Sequence, residues 1–233
     1  DLTEPVYLPE KAFAPGRYFW RWESGGEQSE PFTFEIAPGA VTLEIPPAAE
    51  WLARFAAGHP RIYGTPGQVA DLRARFAQST SPTKDKLLAD AAWLLGESHH
   101  LAEPPFLPDI NRDYEAWFAI WYEILWDSRA FVKGAETLAL AYLLTGDVRF
   151  ARAACARMAS IAQWDPDGSS EVNHNSEAHM SVIWHGPKAC DWVWEHFTDD
   201  ERAVVVAQFR RRGQNQFNRA QDRLSGDDRA GLS

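Results

Sequence analysis

Cysteine is scarce in this 233-residue chain, with only Cys155 and Cys190 present. Two thiols cannot staple a chain of this length, and neither sits in a Cys-x-x-Cys pair, so a disulfide framework, a zinc knuckle and dithiol redox chemistry are excluded. Both are expected as small buried apolar residues. Basic charge is also short: 23 Lys and Arg face 33 Asp and Glu, a net charge of −10. An overall basic footprint for gripping nucleic-acid phosphates or an anionic membrane is therefore missing. Long apolar runs are absent too, because the stretch from Ala116 to Leu125 is interrupted by Glu123, so no membrane insertion is expected. Asp1 is not followed by the basic and apolar parts of a signal peptide, and the export history cannot be read. No Gly-rich phosphate loop and no Gly-x-Ser-x-Gly elbow occur, so nucleotide-driven chemistry and serine hydrolysis receive no support.

Tryptophan is abundant instead, at 11 residues, and a hydrophobic share of 45% is enough to build a real core. Trp offers a flat apolar face and one N–H donor, a combination on which sugars stack well. Helix packing is the competing use for any single Trp.

The first 47 residues read as strands. Tyr18, Trp20 and Trp22 alternate with Phe19 and Arg21, Ser24-Gly25-Gly26-Glu27 supplies a turn, and Phe32, Phe34 and Ile36 alternate with Thr33 and Glu35. This predicts a hairpin with one aromatic face, and Val41, Leu43 and Ile45 predict a further strand. So few strands make a poor sandwich, so residues 1–47 are expected to be the end of a β domain and the chain a piece of a longer protein. From residue 48 to 233 the period is helical. Thr65-Pro66-Gly67-Gln68, Ser81-Pro82 and Thr198-Asp199-Asp200-Glu201 are helix starts. Tyr114 to Thr145 and Val148 to Ala162 predict an antiparallel pair turned at Gly146-Asp147. Glu177 to Phe197 predicts a helix kinked at Gly186-Pro187, and the Pro-rich stretch Glu103 to Asn111 a long loop. Paired helices with short links suggest a helical array or closed toroid.

The densest polar window is Glu171-Val172-Asn173-His174-Asn175-Ser176-Glu177-Ala178-His179, at a loop-to-helix junction. A helix beginning near Ser176 would favour an anion at its N-terminus, with His174 and Asn175 on the lip and Glu177 setting the charge of a histidine. A plain helix cap is the competing reading, through Ser176 or through His174 and Glu177. Zinc is disfavoured because His174 and His179 are five residues apart, where a helical pair needs four. Trp117, Trp121 and Trp126, with Arg129 beyond them, fit either a sugar groove or a core stripe, and the core stripe is the better match. Trp184 and His179 on the following helix complete the candidate substrate-binding set with Arg129 and Trp126. His99-His100 and Arg210-Arg211-Arg212 read as solvated.

Several segments carry a resemblance: His59-Pro60-Arg61-Ile62-Tyr63, Trp164-Asp165, Asn175-Ser176-Glu177-Ala178, Cys190-Asp191-Trp192-Val193-Trp194 and Thr198-Asp199-Asp200-Glu201-Arg202. In this order they resemble the heparinase II/III-like polysaccharide lyases, in the branch of the oligoalginate lyases and exo-heparinases. Ser176 and Cys190 depart from that branch's Asn-Asp-Glu-Ala and Tyr-Asp-Trp segments. The aromatic hairpin from Pro15 to Phe34 is similar to the end of the fibronectin-like domain that precedes the toroid in these enzymes. The resemblance, over about residues 7 to 219, implies a mainly α chain: an (α/α) toroid, incomplete here, preceded by a small antiparallel β remnant.

It implies β-elimination on a uronate-containing glycan, alginate oligosaccharide or heparan sulfate, with His174, Asn175 and Glu177 as the catalytic candidates. The partners it implies are an acidic polysaccharide or oligosaccharide and a C-terminal β-sandwich of the same protein, with no nucleic acid. No cofactor is expected in this chain, and any metal would sit in that C-terminal domain. A periplasmic or secreted protein is the favoured expectation, with a cytoplasmic one as the alternative. The family's Asp-Ser-His-Ala segment would fall near Gly226-Asp227-Asp228-Arg229-Ala230, where this chain has Arg and no His. A glycoside hydrolase using Asp165, Asp167 and Glu177, or a glycan-binding module without turnover, are the alternative functions.

Overall fold

The computed structural model describes residues 11–41 and 46–225, with side chains described to residue 222. The chain is mainly helical, with a small antiparallel β element. It divides into two compact units, Asp1–Phe55 and Ala56–Ser233.

In the first unit, β1 (Gly16–Trp20) pairs antiparallel with β4 (Phe32–Ile36), and β2 (Glu23–Ser24) pairs with β3 (Glu27–Gln28) across the Gly25-Gly26 turn. Gly25 and Gly26 both have positive φ, which the turn requires. The register sets Tyr18 opposite Phe34 and Trp20 opposite Phe32. Both pairs stack, with ring centroids 5.4 and 4.7 Å apart, and form the aromatic face that the alternation predicts. A short helix α1 (Ala48–Ala53) follows. Leu43 and Ile45, of the predicted further strand, lie outside the described residues, as do Gly226 to Ala230.

The second unit is built on α4 (Tyr114–Thr145), which packs against α2 (Val69–Gln78), α3 (Pro82–Leu94), α5 (Val148–Ile161) and α6 (Ser176–Trp192). Asp113 starts α4 by accepting the Ala116 N–H at 3.0 Å, and Gly146, at φ 79°, ends it in the left-handed conformation that a residue with Cβ resists. Asp147 then caps α5, so a two-residue link reverses the chain. The core gathers Leu138, Met158, Ile161 and Val182 from these helices, with Val193 just beyond α6. Helix α6 runs through Gly186-Pro187. Gly186 lets its backbone approach α5 closely: a Cβ there would lie 3.0 Å from the Met158 methyl. Between α4 and α6, Glu136 binds His185 and, at 2.6 Å, Lys188.

The last helix, α7 (Asp199–Ser225), starts from the predicted box, Thr198 N–H donating to Glu201 at 2.8 Å and Glu201 N–H to the Thr198 hydroxyl at 3.2 Å. Its inner face changes character along its length. Val205 and Phe209 join the core, whereas Gln208, Arg212, Asn215 and Arg219 grip carbonyls of the segment between α5 and α6. Arg212 therefore corrects the reading of Arg210 to Arg212 as a solvated face. It is fully buried because the Ser170 carbonyl and hydroxyl accept its guanidinium at 2.8 and 2.7 Å. Arg211 pairs with Asp167 at the surface. His99, also expected to be solvated, is half-buried against Arg157, whose Nε donates to its Nδ1 at 3.3 Å. Among the described residues no helix is long and apolar enough to cross a membrane.

Candidate functional site

Helix α6 begins one residue after its cap. Asn175, and not Ser176, is that cap, its Oδ1 accepting the Ala178 N–H at 3.2 Å while the Glu171 carbonyl accepts its own N–H at 2.8 Å. Asn175 is only 1% exposed, which corrects its expected place on the lip: capping turns the side chain back over the helix end, beneath the loop. Its Nδ2 has no protein partner.

His179, one turn on, is fully buried, which corrects its expected place in a surface binding set. Its Nδ1 lies 3.4 Å from Arg212, which can only donate, so the ring proton sits on Nε2. Burial, then the charges of Arg212 and Arg219, push its pKa down from 6.5 to about 4. The folded state thus holds the neutral ring, whereas the unfolded chain takes up a proton near pH 6.5. The stabilisation is complete above pH 6.5 and is lost as pH falls toward 4, by at most about 3 kcal/mol. Urea unfolding across that window should show a declining stability, and His179→Gln should flatten the decline.

The exposed part of the site comes from three places. His174 lies at the loop end, where Leu107 N–H donates to its Nε2 at 2.9 Å and the Phe106 ring packs edge-on at 5.0 Å. Its ring proton therefore sits on Nδ1. Glu177, in the first turn of α6, pairs with Arg129 of α4 at 3.1 Å, and the Arg129 guanidinium lies over the Trp126 ring at 5.5 Å. Trp126 is 47% exposed, so the core-stripe reading of Trp117, Trp121 and Trp126 is corrected. The well-buried face of α4 begins only at Ile124, and Trp117 and Trp121 are half-buried, stacked on each other at 5.6 Å.

The exposed row is a different set: Tyr114, Phe118, Tyr122 and Trp126, four residues apart and each about one ring from the next, at 6.0, 5.9 and 6.0 Å. A strict spacing of four was legible as one helix face. Trp184 is exposed on α6, two turns beyond Glu177.

Three long-range hydrogen bonds carry no sequence signal. Glu103 accepts the Asp165 N–H at 3.0 Å and the Ser169 hydroxyl at 3.2 Å, and the Leu101 carbonyl accepts the Trp164 indole N–H at 3.0 Å. Together they bring the Pro-rich loop to the approach to α6. His174 and His179 face different partners, and among the described residues no group of three or more metal-ligating side chains gathers. Burial pushes the Cys155 thiol up to about 12, with Glu201 adding to it, and raises Cys190 as well, which leaves neither as a nucleophile.

No protein-family model matches this chain, and no curated protein matches it. The site's aromatic row, guanidinium and helix N-terminus together can hold a chain of rings bearing a negative group.

Proposed function

We propose that the chain carries part of the substrate cleft of a polysaccharide lyase that cleaves a uronate-containing glycan by β-elimination. In this reading the helices are part of an (α/α) toroid, and the aromatic hairpin is the end of a fibronectin-like domain. One observation carries it: the exposed row from Tyr114 to Trp126, ~18 Å long at the helical rise, leads to Arg129 beside the N-terminus of α6. Sugar rings stack along the row, and a uronate carboxylate meets the free donors of Arg129, the Nδ1–H of His174 and the positive end of α6.

Neutralising that carboxylate makes the C5 proton removable, because the charge developing on the enolate is then stabilised. A base takes the C5 proton, the C4–O bond breaks as the C4–C5 double bond forms, and the departing oxygen is protonated. With Nε2 engaged by Leu107, His174 acts here as a donor to the carboxylate, and proton transfer falls to other groups of the protein. Asn175 is a positioning residue that fixes His174 and Glu177 through its cap.

Hydrolysis gains less support. Asp167 is occupied by Arg211 and Asn215, which hold its carboxyl below the usual range, and Glu177 is occupied by Arg129.

Incubation with alginate oligosaccharides or heparan sulfate should give an unsaturated uronate that absorbs in the ultraviolet. New reducing ends without absorbance would indicate hydrolysis, and binding without any product would indicate a binding module. As a cap, Asn175→Ala should cost about 1 kcal/mol in thermal unfolding. Its effect on turnover should be clearly smaller than that of removing Arg129.

A further inference from the structure

Sixteen residues along α6 from Asn175, about 24 Å at the helical rise, a second cleft opens at the other end of the helix. It has a volume of about 260 Å³ and lies between His59-Pro60, the start of α2, the last turn of α4 and the segment after α6. Its lining includes His59, Arg73, Tyr142, Asp191, Trp194 and Glu195.

Asp191 is buried at the back. It accepts His59 Nδ1 at 2.6 Å and the Arg61 and Ile62 N–H groups at 2.7 and 2.8 Å. This fixes the imidazole with Nδ1–H toward the carboxylate and Nε2 on the cleft side, and Trp194 stacks on the ring at 4.6 Å to hold its plane. Arg73 donates Nε to the Leu143 carbonyl at 3.1 Å and sits over the Tyr142 ring at 5.5 Å. Neither of its Nη groups has a hydrogen-bond partner among the described residues. The cleft therefore presents a rigid guanidinium edge, an imidazole nitrogen that accepts, an exposed carboxylate at Glu195, and apolar walls from Val69, Pro66 and the aromatic rings.

Each of these groups specifies a part of the ligand. A planar guanidinium fork matches a carboxylate. A free imidazole Nε2 and a rim carboxylate call for hydroxyl donors. Apolar walls suit the C–H face of a small ring, and the volume lies just below the range of drug-sized sites. We propose that this cleft is a second ligand site, which binds a hydroxycarboxylic acid the size of one sugar-acid ring. Its carboxylate lies on Arg73 and its hydroxyls donate to His59 Nε2 and Glu195. The site stands independently of the lyase reading, since it shares no residue with the N-terminus of α6.

The test is calorimetric titration of the 233-residue chain with D-glucuronate, with D-glucose as the uncharged comparison. Glucuronate should bind at least about tenfold more tightly than glucose, the scale of one charge-assisted contact. Arg73→Gln should remove that preference. Glu195→Ala, at an exposed position, should weaken glucuronate severalfold. Binding that ignores both Arg73→Gln and Glu195→Ala, equal affinity for the two sugars, or no binding at all would overturn the proposal. Loss in Arg129→Ala with retention in Arg73→Gln would also overturn it, by moving the ligand to the other end of α6. The lyase reading is decided separately, by ultraviolet product formation.

Discussion

Arg129→Ala is expected to lower the turnover of a polyuronate by about two to three orders of magnitude, the effect of removing one preorganised charge-stabilising group. Its folding stability should change by less than about 1 kcal/mol, because the Arg129–Glu177 pair is surface-accessible, with side chains 41% and 35% exposed. Arg129→Lys should fall between the two: it keeps the charge and loses the planar fork. Measuring kcat/KM and thermal unfolding on the same variants separates a contact with substrate from a structural contribution. Wild-type turnover in Arg129→Ala would remove the N-terminus of α6 from the lyase reading.

The largest expected stability effect belongs to Arg212. Its guanidinium has no exposure and holds the Ser170 carbonyl and hydroxyl. Burial pushes its pKa down to about 10, opposed by Glu103, Asp165 and Glu171, so it stays charged at neutral pH. Arg212→Met leaves the Ser170 groups and His179 buried without a donor, and should cost about 3 to 5 kcal/mol in urea unfolding, a large part of a domain's whole stability. Arg211→Ala, one residue earlier in an exposed pair, should cost no more than about 1 kcal/mol. A similar loss in both variants would mean that the cost comes from charge on α7 rather than from the buried contacts.

Helix ends were legible where local chemistry decides them. Asp113, Gly146, Asp147 and the Thr198 to Glu201 box set their boundaries through bonds spanning four residues or fewer, which a sequence displays directly. The cluster from Glu171 to His179 was legible as a loop-to-helix junction for the same reason. Which of its side chains reach solvent was not, because that depends on partners far away in the chain. Arg212 closes over His179 from 33 residues on, and Leu107 reaches His174 from 67 residues before. An Arg-Arg-Arg run looks solvated until a loop folds its carbonyls around one member. The aromatic row was within reach of the sequence. Weighing tryptophans alone selected Trp117 and Trp121 together with Trp126, whereas the exposed face joins Trp126 to Tyr114, Phe118 and Tyr122.

The polar inner face of α7 bears on how this unit comes apart. The segment between α5 and α6 depends on Gln208, Arg212, Asn215 and Arg219 for its carbonyl partners, so release of the C-terminal half of α7 frees that segment and the cap of α6 in one step. Amide protons of residues 164–178 should then exchange with solvent water at a common opening free energy shared with the second half of α7, as one cooperative block. The large buried apolar side chains of that segment are only Trp164 and Val172, so the heat-capacity increment of the opening should be smaller and its denaturant slope shallower than those of the α4–α5–α6 core.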